Sequence, residues 1–217
     1  MPPSRLSLPT ARDSILLLCD IQEKFRPLIW KFQAVVNSAK TLHRAATLLG
    51  CPTLVTEQNP GRLGPTVREL EGLPTPLSKM KFSMITDDAW NAIVEPTGRT
   101  EAGGVAINQQ GKIQHAILCG IEGHVCVQQT ALELLSRDIQ VHLVVDGVSS
   151  QRRGDRAIAL ANLTAAGAAI TTTEAIIFQL LGSASHPNFK DIQRVVIDHN
   201  KTTADGPEEG RGLDVLA

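Results

Sequence analysis

The sequence has few aromatic side chains and almost no net charge. Tyrosine is absent, aromatic residues make up only 3% of the chain, and 21 Lys and Arg nearly cancel 22 Asp and Glu. Proteins that bind nucleic acids commonly carry a basic surface, and those that bind single strands stack the bases on aromatic rings. The composition therefore argues against a nucleic-acid partner.

Cysteines and long apolar runs are also scarce. The four cysteines show no C-x-x-C spacing, so we interpret them as free thiols in a reducing compartment. No apolar run approaches the roughly 20 residues of a membrane-spanning helix, and no His/Asp cluster has the spacing of metal ligands. We therefore expect no membrane partner, no metal and no cofactor.

The first twelve residues contain Ser and Arg but no acidic residue. We interpret them as a flexible tail, since chain termini commonly fray. A mitochondrial targeting signal is the alternative, although Pro2, Pro3 and Pro9 disfavour the amphipathic helix that such a signal forms. The expected location is the cytoplasm, with the mitochondrion as the alternative.

The sequence does contain enough apolar residues to bury the core of one domain, with 42% hydrophobic residues in a chain of 217. Strand and helix patterns alternate along it, which predicts a three-layer α/β/α Rossmann-like domain around a central, mainly parallel sheet. We place this domain at residues 14–200, between flexible tails at 1–13 and 201–217.

Apolar runs and helical spacings predict the individual elements. The run at 14–20 ends in an acid and is typical of a strand buried on both faces of a parallel sheet. Further strands are predicted at 52–57, 116–121, 140–145 and 168–172, with an extended segment at 79–84 and surface loops at 59–65 and 97–111. Helices are predicted at 35–49, 66–71, 87–94, 124–136, 154–166, 174–182 and 187–198.

Reactive groups of such sheets collect beyond the carboxyl ends of the strands. That rule selects Asp20, the pair Glu57 and Gln58, the segment 122–126 and Asp146. Within this set, Asp146 is interpreted as structural, an acid at a strand end that binds nearby N–H groups.

Cys126 stands where a helix should begin, directly after a buried strand. Unpaired N–H groups and the positive end of the helix dipole favour a thiolate at such a place, and the same groups can bind an oxyanion. A lone cysteine is nevertheless often a small core residue. We assign that core role to Cys19, Cys51 and Cys119, which lie in or beside apolar strands.

Asp20, Lys79 and Cys126 make chemical sense together. A carboxylate can take the proton of a thiol, and a lysine beside them would favour the thiolate and hold the carboxylate in place. Taken singly, Asp20 could merely cap a loop and Lys79 could be a solvated surface residue. Spacing along the chain does not establish that the three groups meet.

Three segments resemble the signatures of the isochorismatase-like cysteine hydrolases, in the same order along the chain. They are residues 17–25 (LLCDIQEKF), 79–84 (KMKFSM) and 120–126 (GIEGHVC), and residues 144–150 (VVDGVSS) are similar to the strand end that follows. The segments 56–60 (TEQNP) and 63–66 (LGPT) favour the eukaryotic isochorismatase domain-containing subgroup. The resemblance covers residues 14–190.

The resemblance implies a catalytic triad of Asp20, Lys79 and Cys126, with Lys79 rather than Lys81 because of its distance from the aromatic-Ser pair Phe82-Ser83. It also implies a cis peptide bond before Glu122. The backbone N–H groups of Glu122 and Cys126 would then bind one oxyanion.

The resemblance further implies a small-molecule substrate and a homo-oligomer, a dimer or tetramer. Candidate substrate-binding residues are Gln58, Phe25, Phe82 and His124, although His124 could equally be a polar residue of the first helical turn. Nicotinamidases of the family carry an Asp-x-His metal site after the second strand, whereas this chain has no histidine from Arg44 to Gln114. The expected function is hydrolysis of a small amide or related carbonyl compound through a thioester.

Three alternatives remain open at this stage. An isochorismatase-type hydrolase would cleave a vinyl ether without needing the thiol. A catalytically silent binding protein could use the same fold. A ribonuclease is the third alternative, since divergent members of the family carry that name, but the near-zero net charge gives it little support.

Overall fold

The computed structural model describes residues 7–94 and 113–205. In these residues a six-stranded, all-parallel sheet has the order β3-β2-β1-β4-β5-β6. The strands are β1 (Ser14–Cys19), β2 (Thr53–Gln58), β3 (Leu77–Lys79), β4 (His115–Gly120), β5 (Gln140–Val148) and β6 (Ala169–Thr171). The predicted parallel α/β architecture is confirmed.

Helices cover both faces of this sheet. They are α1 (Phe32–Leu49), α2 (Pro60–Leu63), α3 (Asp87–Val94), α4 (Gln128–Ser136), α5 (Arg153–Ala165), α6 (Thr173–Leu181) and α7 (Phe189–Asp205). Buried side chains of α1, α6 and α7 pack on one face, and those of α3, α4 and α5 pack on the other. This gives the three layers.

Strand β1 is central and shows why the sheet is buried on both faces. Leu16 and Leu18 pack into the layer of α1, whereas Ile15, Leu17 and Cys19 pack into the layer of α4. Successive side chains of a strand point to opposite faces, so a strand covered on both faces needs a continuous apolar run. All six residues of β1 are buried.

Several predicted boundaries change in the structure. The predicted extended segment at 79–84 is extended only at its first residue, since β3 ends at Lys79 and the chain then bends. The predicted helix at 66–71 shrinks to a 3₁₀ turn at Arg68–Leu70, and the predicted loop at 59–65 contains the short helix α2. Strand β5 runs to Val148, past the predicted end, and its pairing with β4 is irregular between Leu118 and Gly120.

The C-terminal helix is longer than predicted, because α7 continues to Asp205 and so includes residues 201–205 of the expected tail. The loop predicted at 97–111 lies outside the described residues. The domain limits at 14 and 200 stay a prediction.

The strand order places a topological switch point between β1 and β4. The chain leaves β1 for a helix on one face and leaves β4 for a helix on the other, so a crevice opens between their carboxyl ends. Asp20 follows β1, and the turn that bears Cys126 follows β4. The fold therefore brings these two segments to the same edge of the sheet.

Candidate active site

The Asp20 carboxylate lies at the bottom of the crevice and is 1% exposed. Its Oδ1 accepts a hydrogen bond from Thr56 Oγ1 at 2.8 Å, and its Oδ2 accepts one from Lys79 Nζ at 2.7 Å. The residue has a positive φ of 51°, a conformation that Asp and Asn tolerate better than most residues. The backbone thus turns sharply after β1 and leaves the carboxylate facing β2 and β3.

Lys79 reaches this carboxylate because β3 pairs with β2 in a register that sets Lys79 beside Gln58. Its side chain is fully buried, and Nζ also donates to Gln58 Oε1 at 2.8 Å and to the carbonyl oxygens of Phe82 at 2.9 Å and Lys81 at 3.2 Å. Burial alone lowers the pKa of Lys79, but the acidic groups beside it, Cys19, Asp20 and Cys126, outweigh burial and raise it. The lysine is therefore a cation.

Cys126 belongs to a wide helical turn, Gly123–Val127, that leads directly into α4. It is 7% exposed, and its carbonyl oxygen accepts a hydrogen bond from Thr130 Oγ1 at 2.6 Å. The peptide bond between Ile121 and Glu122, just before this turn, is cis. The thiol thus lies near the surface of the crevice, whereas Asp20 lies deeper.

Gly120 gives the turn the space it needs. Its φ is 130°, and a Cβ atom there would lie 2.2 Å from the carbonyl oxygen of Cys19 on the neighbouring strand. No side chain fits such a gap, because the obstacle is backbone of the central strand. At Gly123 a Cβ would be 3.1 Å from Ser150 Oγ, which is a milder conflict.

Hydrogen bonds from the end of β5 hold the same turn in place. Gly123 N donates to the carbonyl oxygen of Ser149 at 2.8 Å, and Ser149 Oγ donates to that of Trp30 at 2.6 Å. The buried Arg156 guanidinium donates to the carbonyl oxygens of Val145 and Val148 at 2.6 and 2.8 Å. These bonds fix the strand end on which the turn rests.

Two residues that the sequence did not single out hold the acidic side of the site. Thr56 lies in a strand that was predicted from its apolar residues. Its hydroxyl was the feature that could have identified it, since a buried hydroxyl needs a hydrogen-bond partner. Gln22, 0% exposed, exchanges bonds with the backbone N–H and carbonyl oxygen of Gln58. It lies in the Asp-Ile-Gln part of the signature segment, where its polarity could have marked it.

Cys19 needs a correction in part. It is a buried core residue, as predicted, but it is not merely a core residue, because its thiol donates to Asp20 Oδ2 at 3.6 Å. Cys51 and Cys119 fit the core assignment, and burial raises the pKa of the Cys51 thiol to about 12.

The candidate substrate-binding residues are placed differently from one another. Gln58 uses its amide to bind Lys79 and the carbonyl oxygen of Met80. Phe82 is 52% exposed beside Lys79, whereas Phe25 is half-buried against the core on the side of α1. Contact of these three residues with a substrate remains a prediction.

His124 lies in a polar surface cavity of about 240 Å³. Its Nδ1 is 3.1 Å from Ser150 Oγ and 3.7 Å from a Glu122 carboxylate oxygen, and its Nε2 is 3.9 Å from an Asp155 oxygen. Glu122 directly precedes the turn, Ser150 follows β5, and Asp155 lies in α5. The His124 ring thus interacts with these three polar side chains. A direct role of His124 in catalysis stays a prediction.

Two further assignments concern residues outside the crevice. Lys81 binds the carbonyl oxygen of Ile85 and the surface carboxylate of Glu133, so it is directed away from Asp20. Asp146 accepts the backbone N–H of Thr173 at the start of α6, which confirms its predicted structural role.

Within residues 7–94 and 113–205, no three His, Cys, Asp or Glu side chains group as metal ligands would. In the described part of the chain, no helix has both the length and the apolar character needed to cross a bilayer.

The geometry can be set beside known proteins. The isochorismatase domain model matches residues 14–175, which is most of the chain. The chain belongs to the isochorismatase domain family. Isochorismatase domain-containing protein 2 of Danio rerio is 43% identical over 189 residues, which cover 86% of this chain and 88% of that protein. The chain is thus a member of the isochorismatase-like hydrolases, as the resemblance implied.

Solved structures agree on the fold. The structure titled MAR1 ribonuclease from Caenorhabditis elegans is 38% identical, covers 88% of this chain and 93% of its own, and has a TM-score of 0.77. The Escherichia coli YcaC gene product, described as an octameric hydrolase of unknown specificity, covers 91% of this chain and 98% of its own with a TM-score of 0.65. At 19% identity, that second likeness concerns the fold alone.

Proposed function

We propose that this isochorismatase family member is a cysteine hydrolase that cleaves a small amide or related carbonyl compound through a thioester. The observation that carries the proposal is the buried pair of Asp20 and Lys79, whose Oδ2 and Nζ atoms lie 2.7 Å apart at the same switch point of the sheet as the turn that bears Cys126. A carboxylate held in this way is placed to exchange a proton with a thiol.

The reaction begins with transfer of the Cys126 proton to Asp20. The sulfur attacks the carbonyl carbon, and the backbone N–H groups of Glu122 and Cys126 bind the oxyanion of the tetrahedral intermediate. Asp20 returns the proton to the departing amine, which leaves a thioester. Asp20 then takes a proton from water as the water oxygen attacks the thioester carbon. The carbon–sulfur bond breaks, the acid leaves, and Asp20 returns its proton to the Cys126 sulfur.

Lys79 contributes its positive charge throughout. It is a cation with its ammonium group on the carboxylate, so it offsets the negative charge that moves between Asp20 and Cys126. Asp20, Lys79 and Cys126 are all buried. Buried reacting groups favour a small substrate over a polymer.

The test is a screen of small amides and carbamoyl compounds for amine or ammonia release. Cys126→Ala, Asp20→Asn and Lys79→Ala should each lower kcat by on the order of 10²-fold or more. Lys81→Ala is the matched control and should have far less effect, since Lys81 binds Glu133 on the surface.

The double variant Asp20→Asn/Cys126→Ala should be scarcely worse than Cys126→Ala alone, because the two groups act in one step. Near-normal turnover by Cys126→Ala would overturn the thioester route. A vinyl-ether hydrolysis that uses Asp20 without the thiol would then be the better explanation.

A ribonuclease activity is the second candidate, and the name of the Caenorhabditis elegans structure is the observation that favours it. The net charge of −1 does not favour a polyanionic substrate. Incubation of the purified protein with labelled RNA at low and high salt tests this candidate. Cleavage that Cys126→Ala and Asp20→Asn abolish would support it, whereas cleavage that both variants retain would indicate a contaminant.

We also propose that the protein is a homo-oligomer, a dimer or tetramer. The support is the octameric assembly described for the Escherichia coli protein and two exposed apolar side chains, Met80 and Phe82, next to the site. Light scattering after gel filtration measures the mass directly. A single species at the monomer mass would contradict this proposal.

A further inference from the structure

The backbone ladder between β1 and β2 ends at Asp20, although β2 continues to Gln58. The Asp20 N–H still donates to the Thr56 carbonyl oxygen at 3.2 Å, but the Asp20 carbonyl oxygen accepts the N–H of Gln22 at 2.8 Å. Strand β1 therefore offers no further backbone partner to Gln58. Buried backbone groups need such partners, so the end of β2 must be held in another way.

The side-chain amide of Gln22 takes the place of the missing strand edge. Its Oε1 accepts the Gln58 N–H at 2.9 Å, and its Nε2 donates to the carbonyl oxygens of Gln58 at 3.1 Å and Gly64 at 2.7 Å. Gln22 is fully buried. Because an N–H group only donates and a carbonyl oxygen only accepts, these partners permit one orientation of the amide.

The side-chain amide of Gln58 is oriented by the same rule. Its Oε1 accepts from Lys79 Nζ at 2.8 Å, and its Nε2 donates to the carbonyl oxygen of Met80 at 3.0 Å. The ammonium group can only donate, so Oε1 must face Lys79. The backbone of Gln58 is thus held by Gln22, and its side chain holds Lys79.

The Lys79 ammonium group has acceptors in the protein for all three of its protons. Its three shortest bonds go to Asp20 Oδ2 at 2.7 Å, Gln58 Oε1 at 2.8 Å and the Phe82 carbonyl oxygen at 2.9 Å. The Lys81 carbonyl oxygen at 3.2 Å is a longer fourth contact. The place of the ammonium group on Asp20 therefore depends on how firmly its other acceptors are held.

We propose that Gln22 and Gln58 are positioning residues that hold the Lys79 ammonium group against Asp20. Gln22 fixes the end of β2, and Gln58 supplies an acceptor from that end. Neither glutamine transfers a proton or forms a covalent bond. The consequence for catalysis rests on the proposed function, in which Lys79 offsets the charge that moves from Cys126 to Asp20.

Nuclear magnetic resonance of ¹⁵N-lysine-labelled protein at pH 7 tests these contacts without a substrate. Buried, hydrogen-bonded protons exchange with water more slowly than exposed ones, and the signal lost in Lys79→Met identifies the Lys79 ammonium group. Gln58→Met has a similar length but no acceptor, so it should speed this exchange by about tenfold or more. Gln58→Glu keeps the acceptor and should stay within about threefold of wild type.

Gln22→Met should also speed exchange at Lys79, because it leaves the end of β2 without its partner. If this variant does not fold, exchange of the Gln58 backbone N–H in the wild-type protein decides the point. That N–H should be protected from exchange by its bond to Gln22. An unprotected Gln58 N–H, or normal Lys79 exchange in a folded Gln22→Met variant, would overturn the role of Gln22.

Ser38→Ala is the control for a general loss of stability. Ser38 is buried and donates to the Asp146 carbonyl oxygen at 2.9 Å, in β5 on the other side of β1 from Lys79. The variant should lower stability and leave exchange at Lys79 unchanged. Unchanged exchange in Gln58→Met, or equal effects of Gln58→Met and Ser38→Ala, would overturn the inference.

Kinetics separate positioning from contact with a substrate once the amide screen supplies one. Gln58→Met should lower kcat by about tenfold and leave KM within about threefold of wild type, and Gln58→Glu should recover most of kcat. A raised KM with normal kcat would indicate substrate contact by Gln58 and overturn its positioning role.

The two measurements also separate this inference from the proposed function. If exchange at Lys79 changes as expected but Cys126→Ala retains turnover, the positioning contacts stand and the hydrolase mechanism fails. If Cys126→Ala abolishes turnover but Gln58→Met exchanges like wild type, only the role of the glutamines fails.

Discussion

Replacing Lys79 with Met should lower the free energy of unfolding by about 3–5 kcal/mol, because it leaves a buried carboxylate without its counter-ion. The Asp20 side chain is 1% exposed, and Lys79 Nζ lies 2.7 Å from its Oδ2. The substitution also removes the donor to Gln58 Oε1 and to the carbonyl oxygens of Lys81 and Phe82. Methionine has a similar length, so packing changes little.

Asp20→Asn should cost about as much, because it leaves the ammonium group buried without a carboxylate. Asparagine tolerates the positive φ of this position, so the backbone conformation is kept. If the two losses were independent, they would sum to about 6–10 kcal/mol, whereas the double variant removes both charges and should cost little more than one single change. The coupling between the two residues should exceed about 2 kcal/mol.

Urea unfolding at pH 7 and at one fixed protein concentration measures all four corners of this cycle. Lys81→Met is the matched control, since Lys81 is half-exposed and pairs with Glu133 at 2.8 Å on the surface. It should change stability by less than about 1 kcal/mol. Losses that simply add, or a Lys79→Met variant as stable as Lys81→Met, would refute the reasoning.

Three other predictions concern the sheet and the site. Burial and the charge of His115 lower the pKa of His142 to about 4, so stability present above pH 6.5 is lost as the pH falls toward 4. His142→Gln should therefore reduce the loss of unfolding free energy between pH 7 and pH 4.5 by about 2.5 kcal/mol, and an unchanged pH dependence would contradict this. Gly120→Ala should prevent folding or lower Tm by more than about 10 °C. Gly50→Ala is the control and should fold, because no atom lies within 4 Å of its new Cβ. Equal Tm values for the two variants would refute this prediction. Thr56→Val removes one donor to a buried carboxylate and should cost about 1.5–3 kcal/mol in urea unfolding; a smaller loss would mean that this bond is not needed.

The sequence determined the strand–helix alternation and the family. The continuous apolar run at 15–19 is typical of a strand inside a sheet that is covered on both faces. Its burial could therefore be predicted from its composition alone. The acid after that run and the cysteine at a helix start were recognisable because strand ends and helix starts are where reactive groups collect. These are local signals, and each lies within a few residues of the element that it marks.

Only the tertiary structure decided which side chains meet. Lys79 and Asp20 are 59 residues apart, and the pairing of β3 with β2 brings them within hydrogen-bond distance. The local sequence does not show which of Cys19 and Cys119 faces the site, since both lie within two residues of the end of a buried strand. The relative register of β1 and β4 places Cys19 in the same layer as Cys126 and Cys119 in the opposite layer. Side chains alternate across a sheet, and only long-range pairing sets which face is which.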